Sequence, residues 1–147
     1  MDTKQFLQTL DSARVTAAIA AAETGTSGEV RVFVTQRSVD DALVSAREQF
    51  AKLGMEKTAA RNGVLVFFAP TSQKFAVVGD QGIHERCGGD AFWQEIVGGT
   101  MRPLLKDGQY TDAVVAAVGE IGRVLAEHFP SADGGGANEL PDDVVQD

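Results

Sequence analysis

Apolar runs alternate with polar breaks along the chain, and their period changes from one run to the next. Val15, Ala18, Ile19 and Ala22 recur at helical spacing behind Asp11 or Ser12, which serves as a cap. Gly25-Thr26-Ser27-Gly28 ends that helix. Glu29 to Gln36, EVRVFVTQ, is β-branched and alternating, which predicts a strand with Val30, Val32 and Val34 on one side. Ser38-Val39-Asp40-Asp41 has the look of a capping box and opens a helix that gathers Leu43, Ala46, Phe50 and Leu53 and stops at Gly54. Gly63 to Ala69, GVLVFFA, is apolar throughout, so it is predicted to be a strand buried on both faces. Pro70-Thr71-Ser72-Gln73 makes a four-residue turn into a strand from Lys74 to Gly79. A helix from about Asp90 carries Phe92, Trp93, Ile96, Val97 and Met101 inward. Gly98-Gly99 should weaken that helix, Pro103 should kink it, and Lys106-Asp107-Gly108 should end it. A last helix, from Thr111 or Asp112, stacks Val114, Val118, Ile121 and Leu125.

The order of these elements restricts the topology. A strand, a helix and a second strand form a βαβ unit, so the first two strands should be parallel with a right-handed crossover. The second and third should form an antiparallel hairpin. The expected fold is α/β: a three-layer α/β/α sandwich with a small mixed β-sheet flanked by helices. Residues 1–130 form the expected domain.

Composition adds a tail and removes several classes. Residues 131–147 hold Asp133, Glu139, Asp142, Asp143 and Asp147 and no base, so the body carries only −3 of the −8 net charge. With Gly134-Gly135-Gly136 inside it, this stretch is expected to be an acidic, flexible, solvated C-terminal tail, though Leu140 and Val144-Val145 could dock. No basic stripe supports a nucleic-acid partner. No apolar run reaches the ~20 residues of a membrane span. The amino-terminal residues lack the pattern of a secretory signal, and the one cysteine, Cys87, suits a reducing compartment, so the default expectation is cytoplasmic.

The hairpin brings candidate chemistry together. With a turn at 70–73, paired positions sum to 143, so Gly63 faces Asp80 and Asn62 faces Gln81. Arg61 and Asn62 then share a sheet edge with Asp80. Glu29, which opens the parallel first strand, should lie near the same edge, and His84 follows one turn later. Two carboxylates, an amide oxygen and loop carbonyls are oxygen ligands suited to Ca²⁺ or Mg²⁺, with Glu29, Asn62 and Asp80 as the metal set. The same edge with Arg61 could instead hold a phosphate. The plainest alternative is a structural pair of Arg61 with Asp80 or Glu29 beside a turn that ends the strand. This cluster lies at the amino ends of the parallel strands, whereas open α/β sheets usually bind at the carboxyl ends. At that opposite end Arg37, Ser38 and Ser72 read as a helix cap. His84 and Cys87 with distant His128 give no zinc set.

Four stretches in this order resemble the TPM domain family, the thylakoid acid-phosphatase-like domains: AIAAAETGTSGEVRVFV, FAKLGMEKTAARNGVLVFFA, VVGDQGIHE and FWQEIVGGTMRPLLKDGQYTDAVVAAVGEIG. The resemblance covers roughly residues 11–130. It implies an α/β/α sandwich, divalent-cation (calcium) binding in some members and acid phosphatase activity in at least one branch. The expected function is a divalent-cation or protein-interaction module with an undefined protein partner. The alternative is a weak metal-assisted phosphatase in which Asp80 and Glu29 hold the metal, Arg61 neutralises the phosphoryl group and His84 protonates the leaving oxygen.

Overall fold

In the computed structural model, residues 2–131 and 144–147 are described. The sheet has four strands: β1 (Glu29–Val34), β2 (Gly63–Ala69), β3 (Lys74–Gly79) and β4 (Val145–Gln146), in the spatial order β3-β2-β1-β4. β1 and β2 are parallel, and β2 and β3 form the expected antiparallel hairpin, from Ala69 opposite Lys74 to Val64 opposite Gly79. Every residue of β2 is buried. A fully buried valine, leucine or phenylalanine contributes roughly 1.5–3 kcal/mol. Strand propensity spans only about 1 kcal/mol. Burial on both faces therefore makes GVLVFFA a central strand.

Alternation along the strands divides the core. Val30, Val32, Val34, Val64, Val66 and Phe68 face one helical layer. That layer contains α1 (Thr3–Thr9), α2 (Ser12–Glu23) and α7 (Tyr110–His128), and the segment from Asp90 to Lys106 packs with it. Phe33, Leu65, Phe67 and Ala76 face α3 (Ala42–Lys52) and Met55 just after it on the other side. These are the three layers of an α/β/α sandwich. No helix among the described residues is long and apolar enough to cross a membrane.

Several local expectations change. α1 is too short to show a period, but Asp2 and Gln5 close a capping box around its first turn. β1 stops at Val34 because the chain turns at Thr35, whose hydroxyl accepts the Arg37 N–H at 3.1 Å. The cap of α3 is Asp41, not Ser38: its carboxylate accepts the N–H groups of Leu43 and Val44. What reads as a simple turn after β3 is a helix, α4 (Gln81–Cys87), capped by Asp80. Gly98-Gly99 do not break their helix. From α5 (Asp90–Gln94) the chain widens into a π-helix over Glu95–Met101, then tightens again as α6 (Arg102–Lys106). Pro103 stands in the first turn of α6, at the junction where the wider π-helix gives way to α-helix.

The tail expectation is corrected at its end. β4 pairs parallel with Phe33 and Val34, and the Asp147 carboxylate is held by the Thr35 hydroxyl (2.6 Å), the Gln36 N–H (2.8 Å) and Arg37 (3.2 Å). Unpaired edge groups of β1 and one cation outweigh the solvation of these four residues. The expectations for Leu140 and the glycine run lie outside the described residues.

Candidate functional site

The amino end of the sheet gathers the predicted residues as the hairpin requires. The Asp80 N–H donates to the Gly63 carbonyl at 2.9 Å, and the Gly82 N–H to the Arg61 carbonyl at 2.8 Å. Gly82 has to be glycine here, since a Cβ would lie 2.3 Å from the Ala60 carbonyl oxygen and 2.6 Å from that of Arg61. Arg61 adopts a left-handed conformation (φ 53°), unusual for a bulky residue. Its guanidinium grips Asp80 bidentately, Nε to Oδ2 at 2.7 Å and Nη2 to Oδ1 at 2.8 Å. Oδ1 also accepts the Gln81 N–H at 2.7 Å, which caps α4. The hydrogen bond and the charge of Asp80 together raise the affinity of the Arg61 guanidinium for its proton.

The remaining candidates take other roles. The Trp93 indole N–H donates to His84 Nδ1 at 2.9 Å, and His84 Nε2 faces Asp90 at 3.9 Å. His84 therefore ties α4 to α5 and is not held by Asp80. Asn62 donates from Nδ2 to Ser27 at 3.1 Å, and its carbonyl accepts the Glu29 N–H at 3.4 Å. Its Oδ1 is buried without a partner. Glu29 is buried opposite Gly63 and is itself engaged within the fold. Burial pushes the Cys87 thiol up, away from thiolate chemistry.

The family resemblance implies a divalent cation, which these residues do not fit as a set. Both Asp80 oxygens are spent on Arg61. That leaves Glu29 and Asn62 to offer oxygens, where Ca²⁺ takes about six to eight. Among the described residues no group of three or more His, Cys, Asp and Glu side chains could hold a metal ion. A phosphate would likewise have to compete with Asp80 for the Arg61 fork. At the opposite end Arg37 is paired with Asp147, and Ser72 accepts the Val39 N–H at 2.9 Å.

The open side of the molecule lies elsewhere. β3 is an edge strand, and a groove of ≈ 560 Å³ follows it from Phe75 to Gly79. One wall is α3, with Asp41, Leu43 and Arg47; the other includes Trp93, Val97 and Arg102. Asp41 is spent on its cap and Asp90 lies beside His84, but Arg47 and Arg102 have no carboxylate partner among the described residues. Sequence reasoning missed this feature. Its legible signal was a hairpin whose second strand has, among the described residues, no further strand beside it.

The three layers and the mixed sheet define an α/β sandwich. Within that class the TPM domain model matches residues 1–124, and the chain belongs to the TPM domain family. The solution structure of BA42 protein from the psychrophilic bacterium Bizionia argentinensis is similar. It is 30% identical, with 94% of this chain and 95% of that chain covered and a TM-score of 0.82. The N-terminal domain of a protein from P. gingivalis, 22% identical over 78% of this chain and 75% of that one, shares the fold with a TM-score of 0.57. No curated protein matches the sequence.

Proposed function

We propose that this TPM domain is a non-catalytic recognition module that takes up an extended, acidic segment of a partner protein along β3. The observation that carries this reading is the groove on the sheet edge. Because Asp80 and Gly63 form a hydrogen-bonded pair, so do Val78 and Leu65, Ala76 and Phe67, and Lys74 and Ala69. The N–H and C=O groups of Phe75, Val77 and Gly79 then point away from β2, toward the groove. An added strand would satisfy them, which is the physics of β-strand addition. The edge is recessed between two helical walls, and Val77 is only 4% exposed. That favours a lone strand over a second sheet with walls of its own.

Charge sets the chemistry of the partner. The uncompensated groups are two guanidiniums on opposite walls. Alternate residues of a strand point to opposite faces. The preferred segment therefore carries two acids an odd number of residues apart, with apolar residues to meet Leu43 and Val97.

A calorimetric titration tests this with the peptide TVEVTEVT and with TVEVETVT, whose acids fall on one face. The first should bind, the second at least about fivefold more weakly, and Arg47→Glu should weaken the first at least about tenfold. Equal affinities for the two peptides, or no binding of either, would overturn the reading. The phosphatase alternative is met by an aryl phosphate assay. The expected result is no turnover above buffer, because Asp80 is committed to Arg61; turnover that vanishes in Asp80→Asn would restore the catalytic reading.

A further inference from the structure

A second cavity, of ≈ 440 Å³, opens beyond the carboxyl end of β2. Its polarity differs from the rest of the molecule. Phe6, Phe68, Phe75 and Tyr110 supply aromatic walls, and Lys74, Arg102 and Lys106 supply the charges. No acid among the described residues lines it, although the chain has 21 acids against 13 bases. We infer that this cavity is a binding site for a small aromatic anion: a planar ring system bearing one carboxylate or phosphate-like group.

Four observations converge on that class. The site stands where open α/β sheets bind ligands, outside the carboxyl ends of parallel strands. Its volume falls in the range of about 300–1,000 Å³ typical of small-molecule sites. The rings pack on one another at a tilt, Phe6 5.1 Å from Phe68 at 39° and 5.4 Å from Tyr110 at 55°, and so form one continuous aromatic wall. Such an arrangement offers both faces and edges to a guest ring. The cations are not consumed by acids. Arg102 lies 5.3 Å over the Phe75 ring, and Lys74 donates to the neutral Asp40 carbonyl. Lys106 is one helical turn beyond Arg102, so both charges lie on one side of α6.

A guest ring would lie in the cavity against this aromatic wall, with its anionic oxygens toward Arg102 and Lys106. The fork of Arg102 suits two oxygens of a carboxylate or phosphonate. Aromatic contacts would supply most of the affinity, and the cations would select anionic over neutral rings.

The test uses the full chain and three probes: 2-naphthoate, 2-naphthylphosphonate (which cannot be hydrolysed) and neutral 2-naphthol. Binding is followed by calorimetry and by NMR shifts. At least one anion should bind, with shifts at Phe6, Phe68 and Tyr110, and at least about tenfold tighter than naphthol. The two anionic arms decide between carboxylate and phosphate-like ligands. Lys106→Glu, on the exposed side of α6 and outside the β3 groove, should lose that preference while the far-ultraviolet spectrum stays unchanged. No binding, equal affinity for naphthol and the anions, or a preference that survives Lys106→Glu would overturn the assignment. The peptide test of the β3 groove does not involve Lys106, so failure of this assignment and failure of the groove reading are distinguishable, although Arg102 lines both spaces.

Discussion

At Gly82, Asp80 and Arg61, single atoms decide the amino end of the sheet. A Cβ on Gly82 would press on the backbone oxygens of Ala60 and Arg61, and the latter already accepts the Gly82 N–H. Gly82→Ala should therefore cost about 1–3 kcal/mol, as overpacking does. Urea denaturation measures it, and a wild-type midpoint would show that the contact relaxes freely. Asp80 carries two duties, capping α4 and pairing with Arg61. Asparagine can keep the cap and lose the charge; alanine loses both. The expected order of stability is wild type, then Asp80→Asn, then Asp80→Ala, with the missing cap alone worth about 1 kcal/mol. Equal midpoints for the two variants would mean that the cap contributes nothing.

Among the elements, the ones legible in sequence were long or doubly buried. β1, α3 and α7 announced themselves by period and β2 by its unbroken apolar run, and a turn of known length fixed the register of the hairpin. α1 and α4 have seven residues each, too few to display a period. The π-helix reads as a break because Gly98-Gly99 is a helix-weakening pair, whereas added backbone width absorbs it. β4 was hidden because its acidic context reads as solvated, while its partner Arg37 lies far away in sequence. That contact makes β4 pH-sensitive. Burial disfavours the Asp147 carboxylate, but hydrogen bonds from Thr35 and the Gln36 N–H and the charge of Arg37 prevail, so its folded pKa lies below the ordinary carboxylate value. A depressed carboxyl stabilises the docked strand above its unfolded pKa, and that stabilisation is lost as pH falls through the folded value. The protection of the Val145 and Gln146 amides, their exchange relative to the unstructured rate at the same pH, should therefore fall below about pH 4, near the carboxylate range. In Asp147→Asn the same amides should exchange with no such acid step. An unchanged step in that variant would assign it to another group.

For the whole molecule, the predicted cluster came together but much of it was already spent. Pairing arithmetic could place Asp80 beside Arg61, yet could not show that the guanidinium would take both carboxylate oxygens. Nor could it show that His84 would turn to Trp93, nine residues away across the α4–α5 corner. The groove and the aromatic cavity were less legible still, because they arise where α1, α3, α6 and α7 meet the sheet, and residue spacing does not encode such meetings. Phe75 and Arg102 line both spaces. One guanidinium cannot give its full fork to two anions at once, so an aromatic anion in the cavity should weaken an acidic strand in the groove. Linkage requires the reverse effect to have the same size. Titrating TVEVTEVT with and without saturating naphthoate should show a loss of about two- to tenfold, and naphthoate should weaken by an equal factor when the peptide is saturating. Arg102→Gln should abolish the coupling while Arg47 still supports residual peptide binding. Two affinities that ignore each other in the wild type would separate the sites and refute a shared Arg102.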